Sequence, residues 1–460
     1  MSEHAQVIKA VASSASPVSY VKQSAVAVNA SWITAATRLL VLAFRGVDKS
    51  VAVRLWNGTT LALGNAFPGE IPQRFTLVIR NPNVVSAMIL RRDPLYLAEA
   101  YFCGDIDIEG DFFAAVSLKD NLRTIRIPLR ERMQALLLAL RLRMRDRPGS
   151  GIDARNALLT GNTVKAHSKA ENKNAIQFHY DVSNEFYALW LDQAMVYSCA
   201  YFERQDDDLQ SAQHNKLDHT CRKLLLKPGE RLLDIGCGWG ALIIHAAQHY
   251  GVHAHGVTLS SQQLTMARQR IAQAGLNHRV TVELCDYRDL QGDAVYDKVA
   301  SVGMFEHVGL KNLPVYFSAV HRLLKPSGLF LNHGITHDVE GWKKTLCTEF
   351  INRYVFPDGQ LDTVGNIQRG MERVGFEIAD VEALRPHYAL TLRHWVARLE
   401  QHHAQALAYV SEATYRVWRL YMAACVLDFE SGELGVYQVV ASKRDLGLPA
   451  LPLTRRHVYP

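Results

Sequence analysis

Apolar residues along this chain fall into short blocks whose spacing changes from one stretch to the next. Leu232, Leu233 and Ile235 lie in a nearly unbroken apolar run, whereas ALIIHAAQHY after Gly240 repeats its apolar positions every three or four residues. The first pattern predicts a buried strand over 231–235, the second a helix over 240–249. The alternation continues with a strand over 252–258, a helix over 261–274, and strands over 279–284 and 296–302. A helix over 314–324 and a strand over 328–334 follow. Apolar strands separated by helices specify a doubly wound α/β sheet that binds ligands at the carboxyl ends of its strands. GELGVYQVVAS (432–442) reads as the last strand added to the sheet. Residues 342–430 read as mainly helical and aromatic-rich, long enough for a lid.

The N-terminal third follows other patterns. Residues 1 to about 40 are small and weakly patterned, as in a loose helix or a mobile extension. VAVRLW, TTLALG and RFTLVIR read as short strands, the first two joined by a hairpin at Asn57-Gly58. Helical VVSAMIL and DPLYLAEAYF follow, then a turn-rich stretch from Gly104 to Asp111. These make a small α+β domain with no catalytic constellation of its own. Residues 121–147 place Leu136, Leu137, Leu138, Leu140 and Leu142 among Arg130, Arg132, Arg141, Arg143, Arg145 and Arg147. Such a segment suits an interfacial helix whose arginines meet anionic lipid headgroups. It equally describes a packed helix with a solvated basic face. RPGSG (147–151) reads as a linker. The expected divisions are an extension at 1–48, the small domain at 49–120, the basic helix and linker at 121–174, the catalytic domain at 175–445 and a tail at 446–460.

Length and composition narrow the class. The 460 residues suffice for two or three domains, and a formal charge of +6 suggests a basic patch rather than a basic protein. No apolar run approaches the roughly 18 residues of a membrane span. The N-terminus lacks a basic region followed by an apolar block, so no secretory signal is expected. The seven cysteines show no paired spacing, which argues against a zinc site and a disulfide framework, and no metal is expected. A cytoplasmic protein with peripheral membrane contact follows.

The candidate chemistry sits at the strand ends. RLLDIGCGWG (231–240) carries Asp234 and then Gly236, Gly238 and Gly240, a turn at which backbone approaches a ligand closely. It lacks the Gly-Lys-Ser/Thr of a P-loop, and alone it fits several nucleotides. At the second strand end, Thr258 and Leu259 stand where a dinucleotide site has an acid, and Thr258 with Gln263 can bond ribose hydroxyls. At the third, Asp286 and Tyr287 offer a carboxylate and an aromatic face to an adenine. Each alone fits capping or surface packing; together they favour an adenosine-containing ligand. At the fourth, Glu306-His307 in an apolar frame is a candidate acid/base pair, or a carboxylate that caps the next helix.

Several segments carry a specific resemblance. FHYDVSNEFYALWLD (178–192), YSCAYFE (197–203), KPGERLLDIGCGWG (227–240), GVTLSSQQ (256–263), SVGMFEHVG (301–309), RYVFPDGQL (353–361), LRPHYALTLRHW (384–395) and the terminal VYQVV resemble the cyclopropane-fatty-acyl-phospholipid synthase family, including the mycolic acid cyclopropane synthases. AEAYFCGDIDIEGD (98–111) resembles, more loosely, the lipid-carrier-like domain of longer members.

The resemblance implies a class I Rossmann-like methyltransferase fold with a mainly helical lipid-binding lid, preceded by a small α+β lipid-carrier-like domain. It implies S-adenosylmethionine held by Tyr197, Ser198, Asp234, Gly236, Gly238, Gly240, Thr258 to Gln263, Asp286 and Tyr287. It further implies a bicarbonate ion as base, bound by Cys199, Glu306, His333, Ile335 (through backbone) and Tyr388. Cys425 matches a position proposed as a nucleophile, although a buried cysteine in an apolar helix usually serves packing. The implied reaction is methylene transfer to cis double bonds of unsaturated phospholipid acyl chains, forming cyclopropane rings; a same-family alternative gives methyl-branched or methylene chains. The implied partner is the phospholipid bilayer with its anionic headgroups. A homodimer fits, and nucleic acid does not, because no Asn/Asp-Pro-Pro-aromatic motif occurs.

Overall fold

The computed structural model describes residues 30–45, 47, 49–64, 74–91, 95–119, 129–143, 183–342, 346–356, 359–445 and 451–459. The readings of residues 1–29, of the linker at 147–151, of FHYDV at 178–182, and of Arg145 and Arg147 lie outside them. So do the side chains of Arg130, Arg132, Arg141 and Arg143.

The smaller unit holds strands β1 (Val51–Arg54), β2 (Thr60–Leu63), β3 (Phe75–Ile79) and β4 (Ile106–Gly110), in sheet order β2-β1-β3-β4. The hairpin turns at Asn57-Gly58, where Gly58 takes φ 87°. Two expectations need correction. The turn-rich stretch is in part a strand: Ile106 and Ile108 alternate with acids along β4, which pairs antiparallel with β3. The stretch ahead of residue 40 holds a packed helix, Ala30–Phe44. It buries Ala36, Leu39, Leu40 and Ala43, a helical stripe, in the same core as Val51, Val53 and Ile79.

The basic helix, Leu129–Arg143, joins that core through Ala135, Ala139 and Leu142 and turns Met133, Leu136, Leu137 and Leu140 to solvent. One face of this helix therefore packs, and the opposite face is apolar and exposed.

The larger unit is a seven-stranded sheet of order β10-β11-β9-β8-β5-β6-β7. Its strands are β5 (Arg231–Ile235), β6 (His253–Thr258), β7 (Val280–Leu284), β8 (Tyr296–Val302), β9 (Leu324–His337), β10 (Phe376–Ala383) and β11 (Leu434–Lys443). β5 to β9 pair in parallel, and β11 runs antiparallel between β9 and β10. The parallel strands carry the core, with Leu232, Leu233, Val299, Ala300, Phe330 and Leu331 fully buried. Helices on both faces cover them. The chain order reverses between β5 and β8, which opens a crevice at their carboxyl ends.

β10 falls inside the stretch expected to be helical. Only Phe376 of this edge strand is fully buried. Its acids break the apolar pattern because they face a buried cation: Asp380 and Glu382 hold the Lys223 ammonium at 3.2 and 2.5 Å.

The helix Glu412–Ser431 joins the two units. Arg416 donates to the Tyr101 carbonyl at 3.0 Å, the Arg419 guanidinium lies 3.7 Å from the Phe112 ring centre, and Asp428 pairs with Lys119 at 2.5 Å.

Gly334 in β9 is under a steric constraint, because a Cβ there would overlap the buried Phe305 ring. Gly334→Ala is therefore expected to destabilise the fold by about 1–3 kcal/mol in urea denaturation. Parent-like stability would mean that the Phe305 ring is free to move aside.

Candidate active site

The crevice holds a cavity of about 140 Å³ lined by Tyr197, Ser198, Asp234, Gly236, Gly238, Thr258, Leu259, Gln263, Asp286 and Tyr287. β5 ends at Ile235, and Gly236 turns the chain at φ 84°, its amide donating to the Val257 carbonyl at 2.9 Å. Gly238 follows at φ 54° with no atom within 4 Å of where a Cβ would sit, so the backbone there faces open cavity. Gly240 stands behind the cavity as the N-cap of the helix Ala241–Tyr250. The Thr258 hydroxyl donates to Gln263 Oε1 at 2.8 Å, which ties the end of β6 to the next helix. Asp286 lines the cavity while its carboxylate accepts from both Nε and Nη2 of Arg288, at 2.8 and 2.6 Å.

Two buried charges underlie this floor. Burial raises the Asp234 carboxyl to about 7, against the pull of the Lys216 ammonium. Burial lowers Lys216 to about 8, and its Nζ donates to Ser198 Oγ at 3.0 Å. Lys216, which also lines the cavity, thus fixes Ser198 beside it, a role that nothing in its local sequence announced.

A second cavity, about 90 Å³, adjoins the first. Cys199, Glu306, His333, Ile335, Tyr388 and Cys425 all line it, although they come from five different segments of the chain. Trp342, Phe356, Tyr421 and Phe429 supply aromatic wall, and Tyr197, Ser198, Gly303 and His307 line both cavities.

The Glu306 carboxylate accepts from the Ile335 amide at 2.7 Å through Oε1, while Oε2 is buried without a partner. Desolvation raises this carboxyl to about 7. Gln438, paired with His333 across the β9–β11 register, donates from Nε2 to His333 Nδ1 at 3.2 Å. That leaves the ring proton on Nε2, which is buried and unpartnered. Burial lowers His333 to about 3 and His307 to about 4, so both are neutral near pH 7. Burial pushes the Cys199 thiol far up, and it donates to the Ala200 carbonyl at 3.3 Å. A thiol held protonated in this way is no nucleophile. Gln438 was missed in the sequence, although a glutamine inside apolar GVYQVVAS was the available signal.

A crevice at the strand ends thus adjoins an apolar chamber that holds a buried acid, so two ligands can meet across one wall. A family model described as mycolic acid cyclopropane synthetase matches residues 167–439, more than half of the chain. The chain belongs to that family.

It is 39% identical over 420 residues to a probable fatty acid methyltransferase of Pseudomonas putida, covering 91% of this chain and 98% of the relative. It is 42% identical to the cyclopropane-fatty-acyl-phospholipid synthase of Escherichia coli K12, over 58% of this chain and 66% of that one. Among solved structures, the cyclopropane synthase MmaA2 from Mycobacterium tuberculosis matches with a TM-score of 0.56 and 33% identity, over 61% of this chain and all of that one. The larger unit is a class I Rossmann-like methyltransferase fold, and the protein is an S-adenosylmethionine-dependent methyltransferase of the cyclopropane-fatty-acyl synthase family.

Proposed function

We propose that this methyltransferase moves the sulfonium methyl of S-adenosylmethionine onto a cis double bond in a phospholipid acyl chain and yields a methyl-branched or methylene chain. The observation that carries the reading is the shared wall: Tyr197, Ser198, Gly303 and His307 line both the glycine-turn crevice and a largely apolar, aromatic chamber. A methyl donor in the first cavity faces an acyl chain in the second. Tyr197, Ser198, Asp234, the glycine turn, Thr258, Leu259, Gln263, Asp286 and Tyr287 are assigned to the donor.

An isolated alkene is a weak nucleophile, so positioning of the sulfonium carbon supplies much of the rate. The alkene π pair forms the new C–C bond, the S–CH3 bond breaks, and S-adenosylhomocysteine departs. The positive charge left on the acyl chain is faced by the rings of Tyr388, Tyr421 and Phe429 and shielded from water by their packing. A hydride shift followed by loss of a proton to the Glu306 carboxylate gives the methylene chain or a methyl-branched chain that keeps one double bond. The likeness along nearly the whole chain to a probable fatty acid methyltransferase supports this outcome.

Ring closure is the second reading, favoured by the chamber's polar corner. Glu306 Oε2 and the His333 Nε2–H point into one buried space without partners, an acceptor and a donor that suit a small oxyacid. Glu306, His333 and Tyr388 would hold a bicarbonate ion here, which would supply a base for the proton of the newly attached methyl. Ile335 already spends its amide on Glu306, so it orients that acid. Cys199 and Cys425 line the space without acting as nucleophiles.

Support for a bilayer source lies in the smaller unit. An apolar cavity of about 210 Å³ is walled by Leu40, Met88 and Tyr101 and closed by Phe350, Leu420 and Ala424 of the larger unit. The exposed Leu136, Leu137 and Leu140 add an apolar face beside the arginine-rich sequence. No described helix is long and apolar enough to cross a membrane.

Vesicles of cis-unsaturated phospholipid incubated with the enzyme and donor bearing a trideuterated methyl test the proposal. Labelled acyl chains that keep olefinic protons or gain an exocyclic CD2 support the first reading. Chains with two deuteriums and no olefin establish ring closure instead, and unlabelled phospholipid overturns both.

A further inference from the structure

The helices Leu209–Lys223 and Ala241–Tyr250 pack side by side, and each presents a ligand-bearing pair one turn apart toward the other. His214 and Asp218 lie on the first, His245 and His249 on the second, both at the i, i+4 spacing that stacks side chains on one helix face. One nitrogen from each of the three imidazoles lies within 4.8 Å of the others. The ring centres of His245 and His249 are 4.5 Å apart, and those of His214 and His245 are 5.0 Å apart.

Ring packing alone leaves a buried nitrogen of this cluster unsatisfied. His245 is 5% exposed, and its Nε2 is buried with no hydrogen-bond partner. The nearest acid, Asp218, stands 3.7 Å from that nitrogen and is already engaged by the Tyr250 hydroxyl at 2.6 Å and by Arg222 at 3.0 Å. His214 and His249 are exposed, so the cluster opens to solvent.

We propose that His214, His245 and His249 form a binding site for a late first-row divalent cation of the Zn(II) type. Imidazole nitrogens suit that class, three protein ligands leave a fourth position for water, and Asp218 beside the site supplies compensating charge. The expectation of no metal rested on cysteine spacing, which is blind to histidines brought together by two helices. The site is separate from the reaction chamber but bears on its frame. The helix Ala241–Tyr250 starts at the glycine turn, and Lys216, which holds Ser198, lies two residues from His214. An ion here clamps the two helices behind the donor cavity.

The test uses the full chain, stripped with a chelator and titrated with Zn(II) by calorimetry and with Co(II) by visible absorption. One ion per chain, a Co(II) ligand-field band and a rise in Tm of several degrees are expected. His214→Ala and His249→Ala, both at exposed positions, are each expected to weaken binding by about tenfold or more, and the double variant to lose the band. Circular dichroism and metal-free S-adenosylmethionine affinity are expected to match the parent in all three. Failure of the parent to bind one ion per chain, or unaltered binding in the double variant, overturns the site. The result is independent of which acyl product the enzyme makes.

Discussion

Replacing Glu306 with glutamine is expected to lower turnover by about 10²- to 10⁴-fold while S-adenosylmethionine affinity stays within about twofold of the parent. The substitution keeps the side chain's shape and its acceptor for the Ile335 amide, so the backbone around residue 335 is held as before. What disappears is a carboxyl that burial holds near 7, a group able to take or give a proton at working pH. Glu306 lines the acyl chamber and is not among the residues lining the donor crevice, which is why binding and turnover should separate. Steady-state kinetics on phospholipid vesicles, beside calorimetry with the donor, measure the two. A variant that no longer binds the donor would place Glu306 in the wrong cavity.

The same substitution should change how stability depends on pH. The folded carboxyl titrates near 7 and the unfolded one near 4.5, so between these values the folded state keeps a proton that the unfolded state has lost. Stability then falls as pH rises through this window, by about 3 kcal/mol in total, and the full penalty stands above pH 7. Below about 4.5 the group contributes nothing. Asp234, raised from 3.8 to about 7, acts in the same direction. Glu306→Gln removes one of the two penalties, so the variant should gain on the parent by about 3 kcal/mol between pH 4.5 and pH 8 in urea denaturation. A difference that stays flat with pH would show that the carboxyl is solvated and ordinary.

The sheet was legible in the chain because short strand-like segments alternate with helix-patterned ones, as helices packed on both faces of a parallel sheet require. β5, β6 and β8 appear within one residue of their expected bounds. β10 was not legible, because an edge strand carrying Asp380 and Glu382 satisfies its acids through Lys223 and His219, which lie more than 150 residues away in sequence. The helix Ala30–Phe44 reads in the sequence only as a loose helix or a mobile extension, because alanines 36 and 43 form its buried stripe with Leu39 and Leu40, and small residues give a weak signal. In the site, residues that follow a strand end were readable from position alone, as with Gly236, Thr258 and Glu306. His333, Tyr388 and Cys199 came through family resemblance. Lys216 and Gln438 act on residues distant in sequence, Ser198 and His333, and only the assembled fold brings them together.

The helix Glu412–Ser431 has one further consequence. Leu420 and Ala424 face the apolar cavity of the smaller unit, while the adjacent Tyr421 and Cys425 face the reaction chamber. A single helix is thus a party wall between two rooms, and a wall that yields toward one room enlarges the other. A molecule seated in the outer room would bear on the same helix that bounds the inner one.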